Sequence, residues 1–178
     1  MTITELQQNA VDAITAAIPS LYQCEIYGGQ FGRNVGDRVA IHAPAVLVAA
    51  LGCKPVDDPG IDGQMDVSCR MAAYVLAQHH GDRAKREGAC IDIAEHVATI
   101  IHNNNFNAPL VSPAKVVQMQ GQSNASADDA GFALWSVVWE QQIRIGAAPV
   151  SNYGPLTDVR IGFAPNIGIG HEPDYVAI

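Results

Sequence analysis

The residues able to do chemistry in this chain are a glycine-rich stretch, a few histidines, two acidic groupings and four cysteines. Gly28-Gly29-Gln30-Phe31-Gly32 has the look of a loop that cradles phosphate. It lacks the Lys-Ser/Thr pair of a P-loop and does not match a GxGxxG turn opening a helix, so a tight or bulged connection is the reading. Ile167–His171 fails the same tests. His79, His80 and Asp82 supply metal-ligand types, but adjacent histidines in a turn point apart and no third imidazole has a defined relation to them. Asp57, Asp58 and Asp62 lack the spacing and terminal Glu of a calcium loop. Glu95 beside His96 suggests a general base, yet no Ser or Cys nucleophile is specified by spacing, and His96 and His102 do not share a helical face. Cys24, Cys53, Cys69 and Cys90 show neither CxxC spacing nor histidines at zinc distances, and buried free thiols in a reduced compartment are expected. No catalytic residue, metal ligand or cofactor site is therefore expected, and the expectation is a non-enzyme.

The elements that would position such residues point elsewhere. In Gln64–Ala77 the odd positions Met65, Val67, Cys69, Met71, Ala73 and Val75 are all apolar, whereas the even positions begin Gln64, Asp66, Ser68, Arg70. That two-residue period is a long strand with one face on a core and the other toward water or a partner. A helix from about Arg83 to His102 follows, with Cys90, Ala94, Val97 and Ile101 on one face and Ile93 and Ile100 beside them. Ala114–Gly121 and Gly131–Gly146 read as two strands of a long hairpin, the second carrying Trp135, Val137, Trp139, Ile143 and Ile145 on one face. Between them Gln122–Ala130 is polar and long for a hairpin, which suggests a tip that orders on contact.

Upstream, Thr2 and Glu5 have capping-box spacing for a first helix that ends at Pro19, with an apolar stripe of Ile3, Leu6, Ala10, Ile14, Ala17 and Leu21. Cys24–Tyr27 is a short strand, Ile41–Leu51 a strand apolar on both faces, and Lys54–Gly63 a turn-rich connector. The order α-β-β-β-α-β-β predicts an α+β fold: a mixed, mostly antiparallel sheet packed by two main helices, with a long β-hairpin. Residues 1–148 form that domain. Residues 149–178, punctuated by glycine and proline, form an extended tail that drapes over its own domain or a neighbouring subunit.

Composition bounds the partners. The chain has 178 residues, 48% of them apolar and 16% charged, with ten Lys plus Arg and a net charge of −8. That is globular composition, and the acidic balance argues against holding nucleic acid through its phosphates. Arg83, Lys85 and Arg86 read as the solvated first turns of a helix. Neither a signal-peptide pattern nor a run approaching the roughly 20 apolar residues of a membrane span is found, so a soluble chain, cytoplasmic at synthesis and without a membrane partner, is expected.

VSCRMAAYVLAQ, AEHVATIIHNNNF and GFALWSVVWEQQIRIG, spread over Asp66–Gly146, resemble the Mu-like bacteriophage proteins of the tail and neck gene region, which pair a V.C...AAYV strand with an ALW.V.W.Q...LG strand. The resemblance rests on core and strand residues, and Ser151–Ile178 departs from it in being longer and richer in Gly and Pro. It implies a tail terminator: a virion protein forming a homo-oligomeric, hexameric ring at the head-proximal end of the tail tube. Such a ring stops tube polymerisation and joins the tail to the neck or connector protein. Genomic DNA passes through it without specific binding, after assembly in the host cytoplasm. The alternatives are another neck or tail-completion protein, or a small ligand-binding domain or enzyme built on the Gly28–Gly36 loop. Both faces of Gly131–Val138 are apolar and need cover, so Phe132 and Leu134, with Arg70, Tyr74 and Tyr153, are the candidate subunit or partner contacts. Asp66, Asp128 and Asp129 are candidates for an acidic lumen or hairpin tip that repels phosphate.

Overall fold

The computed structural model of the chain describes residues 1–28, 42–56, 64–78, 82–122 and 131–146, with the backbone of residues 160–161 and 176–177. It has two units, Met1–Gly146 and Ala147–Ile178. In the first, helices α1 (Ile3–Ala17) and α2 (Arg83–Ile101) pack on a sheet of five strands: β1 (Gln23–Ile26), β2 (Ala45–Pro55), β3 (Met65–Gln78), β4 (Lys115–Gly121) and β5 (Phe132–Ile145). The strand order is β1-β2-β3-β5-β4, with β1 parallel to β2 and every other pair antiparallel. This is the expected α+β architecture. The second unit contributes a two-residue antiparallel pair, β6 (Arg160–Ile161) with β7 (Val176–Ala177).

Strands β3 and β5 pair along their whole length, from Met65 opposite Ile145 to Gln78 opposite Phe132, without a register shift. The alternation in β3 sends Val67, Cys69, Met71, Ala73, Val75 and Ala77 to the helix side, where all are buried. From β5 the same side receives Ala133, Val137, Trp139 and Ile143. Helix α2 lays Cys90, Ala94, Val97 and Ile101 onto this surface, the face expected from sequence. Its Cys90 thiol donates to the carbonyls of Val75 and Ala133, bridging both central strands. Helix α1 adds Leu6, Ala10, Val11 and Ile14, and the buried Gln7 donates its Nε2 to the Val48 carbonyl. Each large side chain so removed from water contributes about 1.5–3 kcal/mol, and Trp139, Leu6, Ile14, Met71, Ile101 and Ile143 are all fully buried here.

The helix ends are built as their sequences dictate. Thr2 and Glu5 form both halves of the capping box on α1. Asp82, considered above as a metal ligand, caps α2 by accepting from the Lys85 amide. Ala17 lies exposed beyond the stripe, which turns inward instead at Ile18. Arg83 and Lys85 are solvated, but Arg86 is only 9% exposed, so the basic trio is not uniformly on the surface.

Two sequence expectations are corrected along β2. The strand starts at Ala45 and runs through Leu51 to Pro55, so Lys54 and Pro55 belong to it and not to the connector. The N-terminal half of β3 needs a hydrogen-bonding partner, and that demand overrides the local turn signals. The second correction follows from a β-bulge between Ala50 and Gly52. Leu51 is the extra residue and Gly52 takes φ +150°, which L side chains rarely adopt. Before the bulge Val46 and Val48 face the helices; after it the parity flips and Cys53 does. Cys53 thereby stands directly opposite Cys69, with 4.0 Å between their Cα atoms, and the two form a disulfide. Cys24 and Cys90 are the free thiols, as expected.

The disulfide joins residues 16 apart in sequence, and closing a loop of that size contributes about 3 kcal/mol. Urea unfolding of the oxidised chain should therefore lose roughly that much stability on adding a thiol reductant. A Cys53→Ser variant should be insensitive to the reductant. Identical midpoints for the wild type with and without reductant would reject the bond.

Candidate interaction surface

Among the described residues no group of three or more His, Cys, Asp or Glu stands together as a metal site. His96, His102 and Glu95 are exposed on or beside α2. His79, His80, Asp57, Asp58, Asp62, Tyr153, Asp128, Asp129 and the glycine-rich stretch beyond Gly28 lie outside the described residues, as does the hairpin tip 123–130. Burial first, and then the Glu87 carboxylate, push the pKa of the Cys90 thiol up to about 12, and the thiol packs in the core with two carbonyl partners.

What the structure does assemble is the sheet face turned away from the helices, which divides into two halves. One half is apolar. Ala45, Leu47, Leu76 and Leu134 form a buried cluster on it, with Tyr27 and Tyr74 packed alongside. Tyr74 meets Tyr27 edge to face at 6.4 Å between ring centroids, and burial raises its hydroxyl pKa. Of the candidate contacts, Leu134 is 4% exposed and covered within the chain itself, Phe132 and Tyr74 are half-buried, and Arg70 is exposed. The structure thus brings Leu134 and Tyr74 into one cluster and leaves Arg70 apart from it.

The other half is polar and is ordered by strand register. Lys115, Glu140 and Arg70 stand in one row across β4, β5 and β3, because Lys115 is opposite Glu140 and Glu140 is opposite Arg70. Ser68 sits between Gln142 and Lys54 in the next row. Asp66 and Arg144 end the set, opposite each other, with the guanidinium Nε and Nη2 donating to the two carboxylate oxygens at 2.7 and 2.8 Å. That fork holds the Asp66 carboxyl below the usual carboxylate range, mainly through the hydrogen bonds. Asp66 therefore presents a neutralised pair to its surroundings.

A second polar device lies on the helix side. Gln141 is 1% exposed and donates its Nε2 to the carbonyls of Asn104 and Ser112. It pins the loop between α2 and β4, where Asn103, Phe106, Asn107 and Leu110 all take positive φ. Asparagine suits that conformation, while Phe106 and Leu110 hold it at a cost of order 1 kcal/mol each, so the loop persists because its surroundings over-determine it. Spacing alone gave no hint of this role: Gln141 falls on the apolar parity of β5 and breaks its pattern. A lone polar residue at a core position was the signal available.

No family model and no curated protein sequence matches the chain. Among solved structures it is similar to a chain described as belonging to the virion of a native gene transfer agent particle. The TM-score is 0.46 at 10% identity, over 79% of this chain and 91% of that one. No residue role is carried over from it.

Two outcomes are expected from this geometry. Gln141→Ala leaves two carbonyls without their donor, at about 2–3 kcal/mol, and amide exchange should quicken in residues 103–112 and not in β3; unchanged exchange there would refute the pinning. For the Asp66–Arg144 pair, the folded-state carboxyl titrates below the unfolded one. Its contribution is present above the unfolded pKa and lost as pH falls through the folded pKa. Stability profiles of wild type and Asp66→Asn should thus converge as the pH falls below the usual carboxylate range, whereas parallel profiles would mean the pair contributes nothing.

Proposed function

We propose that this chain is a structural protein of a phage-like virion, and within that class a tail terminator: a ring-forming subunit at the head-proximal end of the tail tube that stops tube growth and joins the tail to the neck. The observation that carries the reading is where the family-like residues sit. The motif with Val67, Cys69 and Ala72–Val75 lies in β3, the one with Ala94–Ile101 in α2, and the one with Ala133–Gln142 in β5. These three elements are not scattered over the molecule. The two strands pair along their whole length and α2 packs on both, so the resemblance falls on one contiguous core.

The polar construction of the surface agrees with a passive role toward DNA. The chain carries −8 overall, which disfavours phosphate capture and lets a genome pass without sticking. A sheet whose outer strands β1 and β4 each have one neighbour among the described residues offers edges for subunit contact. A hexameric ring in contact with tail tube and neck proteins is the assembly this reading requires.

Electron microscopy of particles made with and without the protein tests it. Overlong tails or tubes in its absence, and a ring of it at the head-proximal end in its presence, are expected. Tails of normal length that fail to join heads would instead make it a neck or completion protein. Normal, infectious particles would sink the virion reading altogether.

A further inference from the structure

Cys53, Cys69 and Gln141 form one row across three neighbouring strands, β2, β3 and β5, on the helix side of the sheet. They differ in how they meet solvent. Cys53 is half-buried and lies between the exposed Gly52 and Lys54, whereas Cys69 and Gln141 are buried. The disulfide therefore joins one cysteine that water reaches to one that it does not. Gln141 is committed at only one end of its amide. Its Nε2 donates to the Asn104 and Ser112 carbonyls, which fixes the orientation of the group. Its Oε1 is buried and accepts from no donor among the described residues. A buried acceptor left in that state costs its desolvation.

The register puts Cys69 directly across from Gln141, and residues so opposed have Cβ atoms about 4.5–5.5 Å apart. In the disulfide the Cys69 sulfur carries no proton and cannot donate. As a thiol it carries one and can. Reduction thus supplies a donor to a group that the oxidised chain leaves unsatisfied. The sheet does not depend on the bond. Strand β3 pairs with β5 along its whole length, and its pairing with β2 continues on both sides of the cysteines, from Gly52 to Pro55.

We propose that Cys53 is an exchange site for low-molecular-weight thiols and disulfides, and that Cys69, once reduced, donates its S–H to Gln141 Oε1. In the reducing direction an external thiolate attacks the Cys53 sulfur, because access decides which sulfur of a disulfide is attacked. The Cys53–Cys69 bond breaks as a mixed disulfide forms on Cys53, and Cys69 leaves with the electron pair and takes up a proton. A second external thiolate then attacks the external sulfur of the mixed disulfide and releases Cys53, which is protonated in turn. Two external thiols become one disulfide while the protein disulfide becomes two thiols, and the protons lost by the first pair match those gained by the second. Reduction unties Gly52–Pro55, the part of β2 beyond its bulge, and leaves β3 paired with β5. This site does not depend on the virion reading, which adds only that such a protein is made in a reducing cytoplasm and works outside it.

Glutathione buffers of graded ratio, applied to the folded full chain, test this, with thiols trapped by rapid alkylation and located by mass spectrometry. The bond should open and close reversibly without denaturant, and the glutathionylated intermediate should lie on Cys53. Cys69→Ser should accumulate glutathione on Cys53, while Cys53→Ser should take it up on Cys69 roughly tenfold or more slowly, since access limits exchange. On reduction, amide exchange should quicken in residues 52–55 and not in β5. The S–H stretching band present in Cys53→Ser and absent from oxidised wild type belongs to Cys69. It should lie below the free-thiol position, and Gln141→Leu in that background should return it there. On wild type, where Gln141 is intact, reduction should move the carbon signal of the Gln141 side-chain carbonyl to lower field. Glutathione found first on Cys69, or a bond that opens only as fast as the whole chain unfolds, would overturn the exchange site. A band at the free-thiol position in Cys53→Ser, or an unmoved carbonyl signal, would overturn the donation to Gln141. An oxidised chain without the Cys53–Cys69 bond would overturn both.

Discussion

Everything else in the first unit is arranged around the fourteen-residue antiparallel pairing of β3 with β5. An antiparallel ladder of that length with no bulge fixes the facing of every side chain on both strands, because a slip by one residue would turn each to the other side. The apolar parity of β3 and that of β5 coincide on the helix side, so a single register buries Met71, Val75, Val137 and Trp139 together. The same register then sets the opposite face without further instruction. It puts Asp66 against Arg144 and Arg70 against Glu140, and brings Leu76 beside Leu134. The polar and apolar halves of that face are thus consequences of where charged residues fall along two strands whose alignment the core dictates.

The two β-bulges modify that frame at its flanks, and each changes which residues meet. In β2 the inserted Leu51 exchanges inside and outside, bringing Cys53 opposite Cys69 on the helix side. Unbulged pairing would set Cys53 against Ser68 on the other face. In β4 the inserted Val117 keeps Val116 with the core and returns Met119 to the helix side, opposite Val137. At the far end of β4, Gly121 lies opposite Trp135, and a Cβ there would stand 3.4 Å from the indole. The absence of a side chain lets the ring lie along the edge strand, the arrangement by which an aromatic supports an edge glycine.

These features mark where the sequence was legible and where it was not. The long strand, α2, the hairpin strands and the buried faces of Cys90 and Trp139 follow from periods of two and 3.6, and they lie within a residue or two of expectation. The end of β2 was hidden because Gly52, Lys54 and Pro55 are turn residues by local preference, and only the unsatisfied half of β3 recruits them into the sheet. The disulfide was hidden for the same reason: parity read up to Leu51 cannot anticipate a bulge that reverses it. Arg86 lies within three residues of two solvated cations, and no spacing distinguishes it as the buried one. Asp66 was readable as an outward carboxylate on β3, but its neutralisation depends on Arg144, 78 residues away.

That last pairing alters how the surface charge is to be understood. A count of residues makes this an acidic chain, and a net charge of −8 suggests surfaces of bare carboxylate. The strand register mixes the signs instead on the sheet face turned away from the helices. Glu140 stands between Lys115 and Arg70 in one row, and Asp66 stands against Arg144. Exposed pairs contribute little to folding, a few tenths to about 1 kcal/mol each, so this arrangement follows from the register that the core imposes and does not itself hold the strands together.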